Sequence, residues 1–314
     1  MKMRTDYLIV IASSLFLVAC GGGGKQEKIR DTPTAGTITI AIDESLRPLL
    51  SAEMDTFQGI YDQAHLKTIY TSEDSAIAAV IKDSARVAFV TRHLNKQEEQ
   101  AFEKLTIIPR QLDIANEGVA LVINKANADS LITFDQLKSI LEGKLTDWSQ
   151  ISGNKKLGPL EAVFDNPQSG VIRFLSDSVT RIDKLPKNFY GVKNNAAVID
   201  YVSKKPNALG FIGVSWISDK DDPASNKFLN SIKVVGVSRG DKYFKPYQAY
   251  IASWQYPLRR KVTAITRETR IALGNGFMSF VAGDKGQRIV LKSGMVPATM
   301  PLRIVSFKKK KLED

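Results

Sequence analysis

Short runs with a two-residue apolar period alternate along this chain with stretches of helical spacing, and few folds accommodate that order. Thr37-Ile38-Thr39-Ile40-Ala41-Ile42 alternates like a strand, and Leu46, Leu49, Leu50, Met54 and Phe57 then recur at helical spacing as far as Ile60. Thr68–Tyr70 reads as a second strand. Ser72 and Ser75 stand where a helix cap belongs, with Ile77, Ala78, Val80 and Ile81 on the buried face of the helix that follows. Val87–Val90 and Gly118–Ile123 are further strands. Thr133-Phe134-Asp135-Gln136 forms a capping box, Phe134, Leu137, Ile140 and Leu141 make one apolar stripe, and Gly143 suits the left-handed position past the helix end. Leu160–Phe164, Ala208–Val214 and Ser231–Val237 add strands, and a last helix is expected near Ile271–Val281. The alternation implies an α/β fold with a mainly parallel sheet. At about 100–200 residues per domain, 314 residues suggest two lobes.

Composition removes much of the catalytic menu. One Cys excludes an internal disulfide and a Cys-rich zinc site, and two His exclude a three-His metal centre. No phosphate-cradling G-x-x-x-x-G-K-[ST] loop and no G-x-G-x-x-G turn occurs. Ser152-Gly153-Asn154-Lys155 satisfies S-x-x-K without its companion motifs and reads as a turn at Gly153. Gly213-Val214-Ser215 opens like a nucleophile elbow, but Ile217 stands where the last Gly is required. His65 and His93 are read as surface or supporting residues. A binding module without metal or cofactor is expected, and the net charge of +11 suits an anionic partner.

The N-terminus reads as an address. Lys2 and Arg4 precede an apolar run from Tyr7 to Ala19, too short to span a bilayer core of about 30 Å. Leu17-Val18-Ala19-Cys20 looks like a bacterial lipobox, so residues 1–19 are expected to be a lipoprotein signal and Cys20 the lipidated mature terminus. Residues 20–35, led by Gly21–Gly24, read as a flexible tether, and Lys308–Lys311 as a solvated tail with no nucleic-acid role. An exported, membrane-anchored monomer in the periplasm or cell envelope follows.

Hydroxyl-bearing loops remain at strand-to-helix junctions: Asp43–Leu46, Ser72–Ser75, Val90–Arg92 and Asn166–Val171. In open α/β sheets, ligands sit at the carboxyl ends of strands, where helix N-termini offer free N–H donors. Four such loops favour an anion site over ordinary caps, and Arg92 and Arg173 could add charge-assisted bonds.

From about Gly36 to Pro301 the sequence resembles the phosphate-binding proteins of ABC-type phosphate importers, which are type II periplasmic binding proteins. The resemblance rests on Gly36-Thr37-Ile38-Thr39-Ile40-Ala41 with Pro48-Leu49, on Gly143 through Ile151 with Trp148, and on Asn195-Ala196-Ala197-Val198. Ala208 through Gly213, Tyr256-Pro257-Leu258 and Gly286-Gln287 through Pro297 follow in the family's order. It implies two α/β lobes joined by two crossover strands, about 36–114 plus 258–314 and about 115–257, closing on inorganic phosphate for an importer permease. Carried over by position, Ser45 and the Leu46 backbone match the first ligand loop, and Thr91 and Arg92 the third. Ser169 and Gly170 match the opening of the second lobe's anion-binding helix. Ser72, Glu73 and Ser75 stand in the second loop, where Glu73 replaces the family's Ser; Val171 replaces its Thr, and Asp165 the place of an Arg. Asp43 and Glu44 add negative charge beside the first loop. These departures leave open the same fold re-tuned to another small ligand, such as an amine, or a sensory or scaffold lipoprotein.

Overall fold

The computed structural model describes residues 31–301 apart from positions 183 and 220. The expected signal, Cys20, the tether as far as residue 30 and the Lys308–Lys311 run lie outside the described residues. Asp31 already packs on the body: its carboxylate accepts from the Leu273 N–H at 3.1 Å and pairs with Arg270 at 2.7 Å.

Strands follow in the order β1 (Gly36–Asp43), β2 (Ala64–Thr71), β3 (Val87–Val90), β4 (Arg110–Asn124), β5 (Leu131–Thr133), β6 (Glu161–Phe164), β7 (Phe189–Gly191), β8 (Ala208–Gly213), β9 (Ile232–Val234), β10 (Gly236–Ser238), β11 (Tyr243–Phe244), β12 (Arg259–Thr266) and β13 (Val296–Pro297). The main sheet runs β2-β1-β3-β12-β4-β8-β6-β7, with β9 and β13 also on β4, while β11-β10-β5 form a small separate sheet. β1 is parallel to β2 and β3, and β6 is parallel to β7 and β8. Between these parallel groups lie the antiparallel β12 and β4. β4 is the through-strand: its first part pairs with β12 and its second part with β8.

The two-residue period assigns the faces. Ile38, Ile40 and Ile42 of β1 enter one large apolar cluster, while Ala41 faces another with Ile77, Val80 and Ala88. In β4, Val119, Leu121 and Ile123 join the large cluster, while Ala120 and Val122 pack against Val198 and Val202 of the Asn195–Lys204 helix. The β4–β12 ladder shifts register between Val262 and Thr263, leaving Ile114 as the extra residue. Its carbonyl accepts instead from Gln287 Nε2 at 3.0 Å and the Ala298 N–H at 3.2 Å.

Helices start where the hydroxyl and amide side chains say they should. Ser72, Thr133, Ser169 and Asn194 each accept from the backbone N–H three residues on, and the Thr133–Gln136 capping box is complete. Gly143 has φ +71° and Trp148 is fully buried, its Nε1 donating to the Asn207 carbonyl at 2.9 Å. Four expectations change. The run Ser231–Val237 is two strands on two sheets: Val235 still bonds Leu121 of β4, and from Gly236, whose N–H donates to the Ser130 carbonyl, the chain pairs with β5. The strand expected at Gly118–Ile123 extends back to Arg110. The first helix begins at Arg47, after a single 3-10 turn at Glu44–Leu46. On the Glu73–Ile81 helix, Ala76 rather than Ala78 or Ile81 completes the fully buried face.

Candidate functional site

The carboxyl ends of β1 and β3 deliver Asp43 and Thr91, and the carboxyl end of β6 delivers Asp165. β4 and β12 cross beneath with Glu117 and Arg260. Asp43, Ser45, Glu73, Thr91, Glu117, Asp165, Ser169, Ser215 and Arg260 are all buried, a polar island in an apolar interior. Buried charges cost several kcal/mol each unless paired. The pairing is extensive.

Arg260, 4% exposed, holds Glu117 Oε2 through Nε at 2.9 Å and Nη2 at 2.7 Å. It also donates to the Ser45 hydroxyl at 2.7 Å and the Thr91 hydroxyl at 3.3 Å. Glu73 accepts from the Thr91 N–H at 2.8 Å and its hydroxyl at 2.6 Å, from Arg92 at 2.8 Å, and from Arg173 at 2.5 Å. Asp43 Oδ1 accepts from the Ser45 N–H at 3.0 Å and from the Ser45 hydroxyl, and Oδ2 from the Gly170 N–H at 3.2 Å. The Ser45 carbonyl accepts from Trp216 Nε1 at 3.0 Å and the Ser215 hydroxyl at 3.4 Å. Contacts from β1 and β3 thus meet contacts from the β6 and β8 ends at one point.

Four buried carboxylates, Asp43, Glu73, Glu117 and Asp165, face three guanidinium groups, those of Arg92, Arg173 and Arg260. Burial raises the proton affinity of Asp43, Glu73's charge adds to it, and Arg260 opposes. Burial likewise pushes Asp165 up to about 6, helped by the charge of Asp43, and raises Glu117 against the pull of Arg260. Burial would raise Glu73 too, but Arg173, the Thr91 donors and Arg92 outweigh it and hold it below its ordinary value.

Of the residues expected from sequence, Ser45, Glu73, Thr91, Ser169 and Gly170 meet in this island. Leu46 and Val171 are beside it with side chains in the core. Ser72 and Ser75 lie farther out and line a cavity of about 400 Å³ with Glu44, Arg47, Tyr70, Asn166, Gln168 and Lys193. Arg92 touches the island through Glu73. Its guanidinium turns away to Glu98 at 2.6 Å and 2.7 Å, Asp74 at 2.8 Å and Glu73, because Glu98 is anchored as the acidic member of the Asn95 capping box. The cations that reach the hydroxyls are Arg260, on Ser45 and Thr91, and Arg173, on Thr91 at 3.2 Å. Ser152 and Lys155 are exposed beside Gly153 at φ +79°, a turn as expected. Ser215 is buried under Ser45.

Sequence reasoning missed Arg260 and Glu117. The signal existed: Leu258, Arg260, Val262 and Ala264 share one buried face, which makes Arg260 a charge in a core register. The neighbouring Arg259 and Lys261 disguised it as part of a solvated basic run.

Comparison with known proteins matches this geometry to a recognised fold. A family model described as a PBP superfamily domain matches residues 30–285. The phosphate-binding protein PstS of Staphylococcus saprophyticus is 23% identical over 312 residues, covering 97% of this chain and 92% of its own. The PstS of Bacillus subtilis is 19% identical, covering 93% of each chain. Among solved structures, a Clostridium perfringens substrate-binding protein assigned to a phosphate ABC transporter, with phosphate bound, superposes at a TM-score of 0.72. It is 22% identical, and the match covers 84% of this chain and all of that one.

Proposed function

The chain belongs to the PBP superfamily, and on that premise we propose that it captures inorganic phosphate between its two lobes and delivers it to an ABC importer. One observation carries the reading. The head of the Gly170–Ser178 helix is set against the Thr91 hydroxyl and the Asp43 and Glu73 carboxylates, and Arg260 donates to the Thr91 and Ser45 hydroxyls. Such a set of N–H, O–H and one buried cation suits a small tetrahedral oxyanion, and the names of the relatives point the same way. The proposal keeps the lobe boundaries expected from sequence, 36–114 plus 258–314 and 115–257, with the first switch beside the bulge at Ile114. Lipidation at Cys20, export and a monomeric state complete the proposal.

A second reading has its own observation. Four buried carboxylates against three guanidinium groups would equally welcome an amine-bearing solute. Calorimetry of the refolded, dialysed protein with phosphate, sulfate and a panel of amines separates them. Saturable heat with phosphate supports the first reading; a flat phosphate titration alongside a binding amine replaces it.

A further inference from the structure

The position an oxyanion would take at the head of the Gly170–Ser178 helix is already filled by a carboxylate of this chain. Asp43 Oδ2 accepts from the Gly170 N–H at 3.2 Å, across a sequence separation of 127 residues. The site is built: Asp43 is 1% exposed, and its second oxygen is fixed by the Ser45 N–H at 3.0 Å. The fit is close. A Cβ placed on Gly170 would lie 3.0 Å from Asp43 Oδ2, 2.8 Å from Thr91 Oγ1 and 3.0 Å from Glu73 Oε2. There is no room beside Gly170 for even a methyl group while all three side chains hold their places. A carboxylate and a phosphate seek such donors for the same electrostatic reason.

Resting on the phosphate reading, we propose that Asp43 is a built-in occupant of the anion position, and that phosphate enters by displacing its carboxylate as Asp43 takes up one proton from solvent. The surroundings of Asp43 demand that exchange. Facing it are Glu73 from the Glu73–Ile81 helix, Glu117 from β4, Asp165 past β6 and Arg260 from β12, while Arg173 of the Gly170–Ser178 helix reaches Glu73. Arg260 is already held by Glu117 and Arg173 by Glu73 and Asp177. An ionised Asp43 next to bound phosphate would therefore be a like-charge contact without a free cation to offset it. Burial and Glu73 already favour the protonated form. The chain neighbours of Asp43, Glu73 and Asp165, namely Glu44, Ser72 and Asn166, line the outer cavity.

The experiment is phosphate calorimetry on the wild-type chain, Asp43→Asn and Asp165→Asn, from about pH 5 to 9, in two buffers of different ionisation enthalpy. Phosphate's own titration is common to all three proteins, so the comparison isolates the side chain. Above the pKa of Asp43, wild type should take up about one proton more per phosphate than Asp43→Asn, and its affinity should fall about tenfold per pH unit relative to that variant. Asp165→Asn should keep the extra proton. Equal uptake in wild type and Asp43→Asn, or an extra proton lost only in Asp165→Asn, overturns the exchange while leaving phosphate binding intact. If Asp43→Asn does not fold, the wild-type count decides: no uptake beyond that of free phosphate overturns the proposal. Phosphate bound by none of the proteins at any pH removes the phosphate reading and this exchange with it.

Discussion

Among single side chains, Arg260 has the least freedom and the most to lose. Its guanidinium pairs with Glu117 at 2.7 Å, and both side chains are sealed from water. Arg260→Met should destabilise the fold by about 3–5 kcal/mol, because it strands a buried carboxylate. Adding Glu117→Leu should recover most of that loss, measured by urea denaturation; a double variant no better than the single would show that the pair does not act as a unit. Glu53 makes the contrasting case. It is fully buried in the Arg47–Ile60 helix, neither of its oxygens has a hydrogen-bond partner, and burial lifts its pKa from 4.5 to about 9. The folded value lies above the unfolded one, so this group's contribution is complete below pH 4.5 and is lost as pH rises towards about 9. Glu53→Met should therefore gain on wild type by about 3 kcal/mol between pH 5 and pH 8, and a pH-independent difference would contradict the shift. Glu53 was not legible from sequence as special, and for Arg260 the register signalled burial but not the partner. Glu53 keeps helical company with Leu49, Leu50 and Phe57 yet looks like any surface acid. Arg260 finds Glu117 across a sequence separation of 143 residues, a distance at which local pattern carries no information.

At the scale of elements, what local chemistry controls was readable. The period of β1, the Thr133 capping box, the left-handed Gly143 and the Ser169 cap all follow from residues within one turn of each other. What depends on neighbours was not: the Val235 break between β9 and β10 and the Ile114 bulge arise from which strand lies alongside. The Gly170–Ser178 helix combines both. Its cap was visible in the sequence, but the need for glycine at its first position comes from Thr91, Asp43 and Glu73 pressing on it from far along the chain. Gly170→Ala keeps a good helix residue, but its Cβ would lie 2.8–3.0 Å from these buried side chains, so thermal stability should fall below wild type. Its methyl group should also hold the facing loops apart and weaken phosphate binding by more than about tenfold in calorimetry. Unchanged affinity would mean that the anion does not sit at this helix.

For the whole molecule, the proposal requires two halves that close on a ligand at the end of a tether. Small-angle scattering should show a smaller radius of gyration with saturating phosphate than without it, and identical profiles would argue for a rigid body. Cys20→Ser should move the protein from the membrane to the soluble fraction; a variant that stays with membranes would dismiss the lipid anchor. The bulge in β4 adds a mechanical corollary. A ladder that skips a residue is a crease, and Gln287 and Ala298 pin this one by holding the freed Ile114 carbonyl. Glu117 lies three residues from that pin, a lever arm of about 10 Å, whereas Tyr70 and Lys193 line the distant rim. If the two halves turn about this pin as proposed, the arc is short at Glu117 and long at the outer cavity, so the outer residues travel while the floor scarcely shifts.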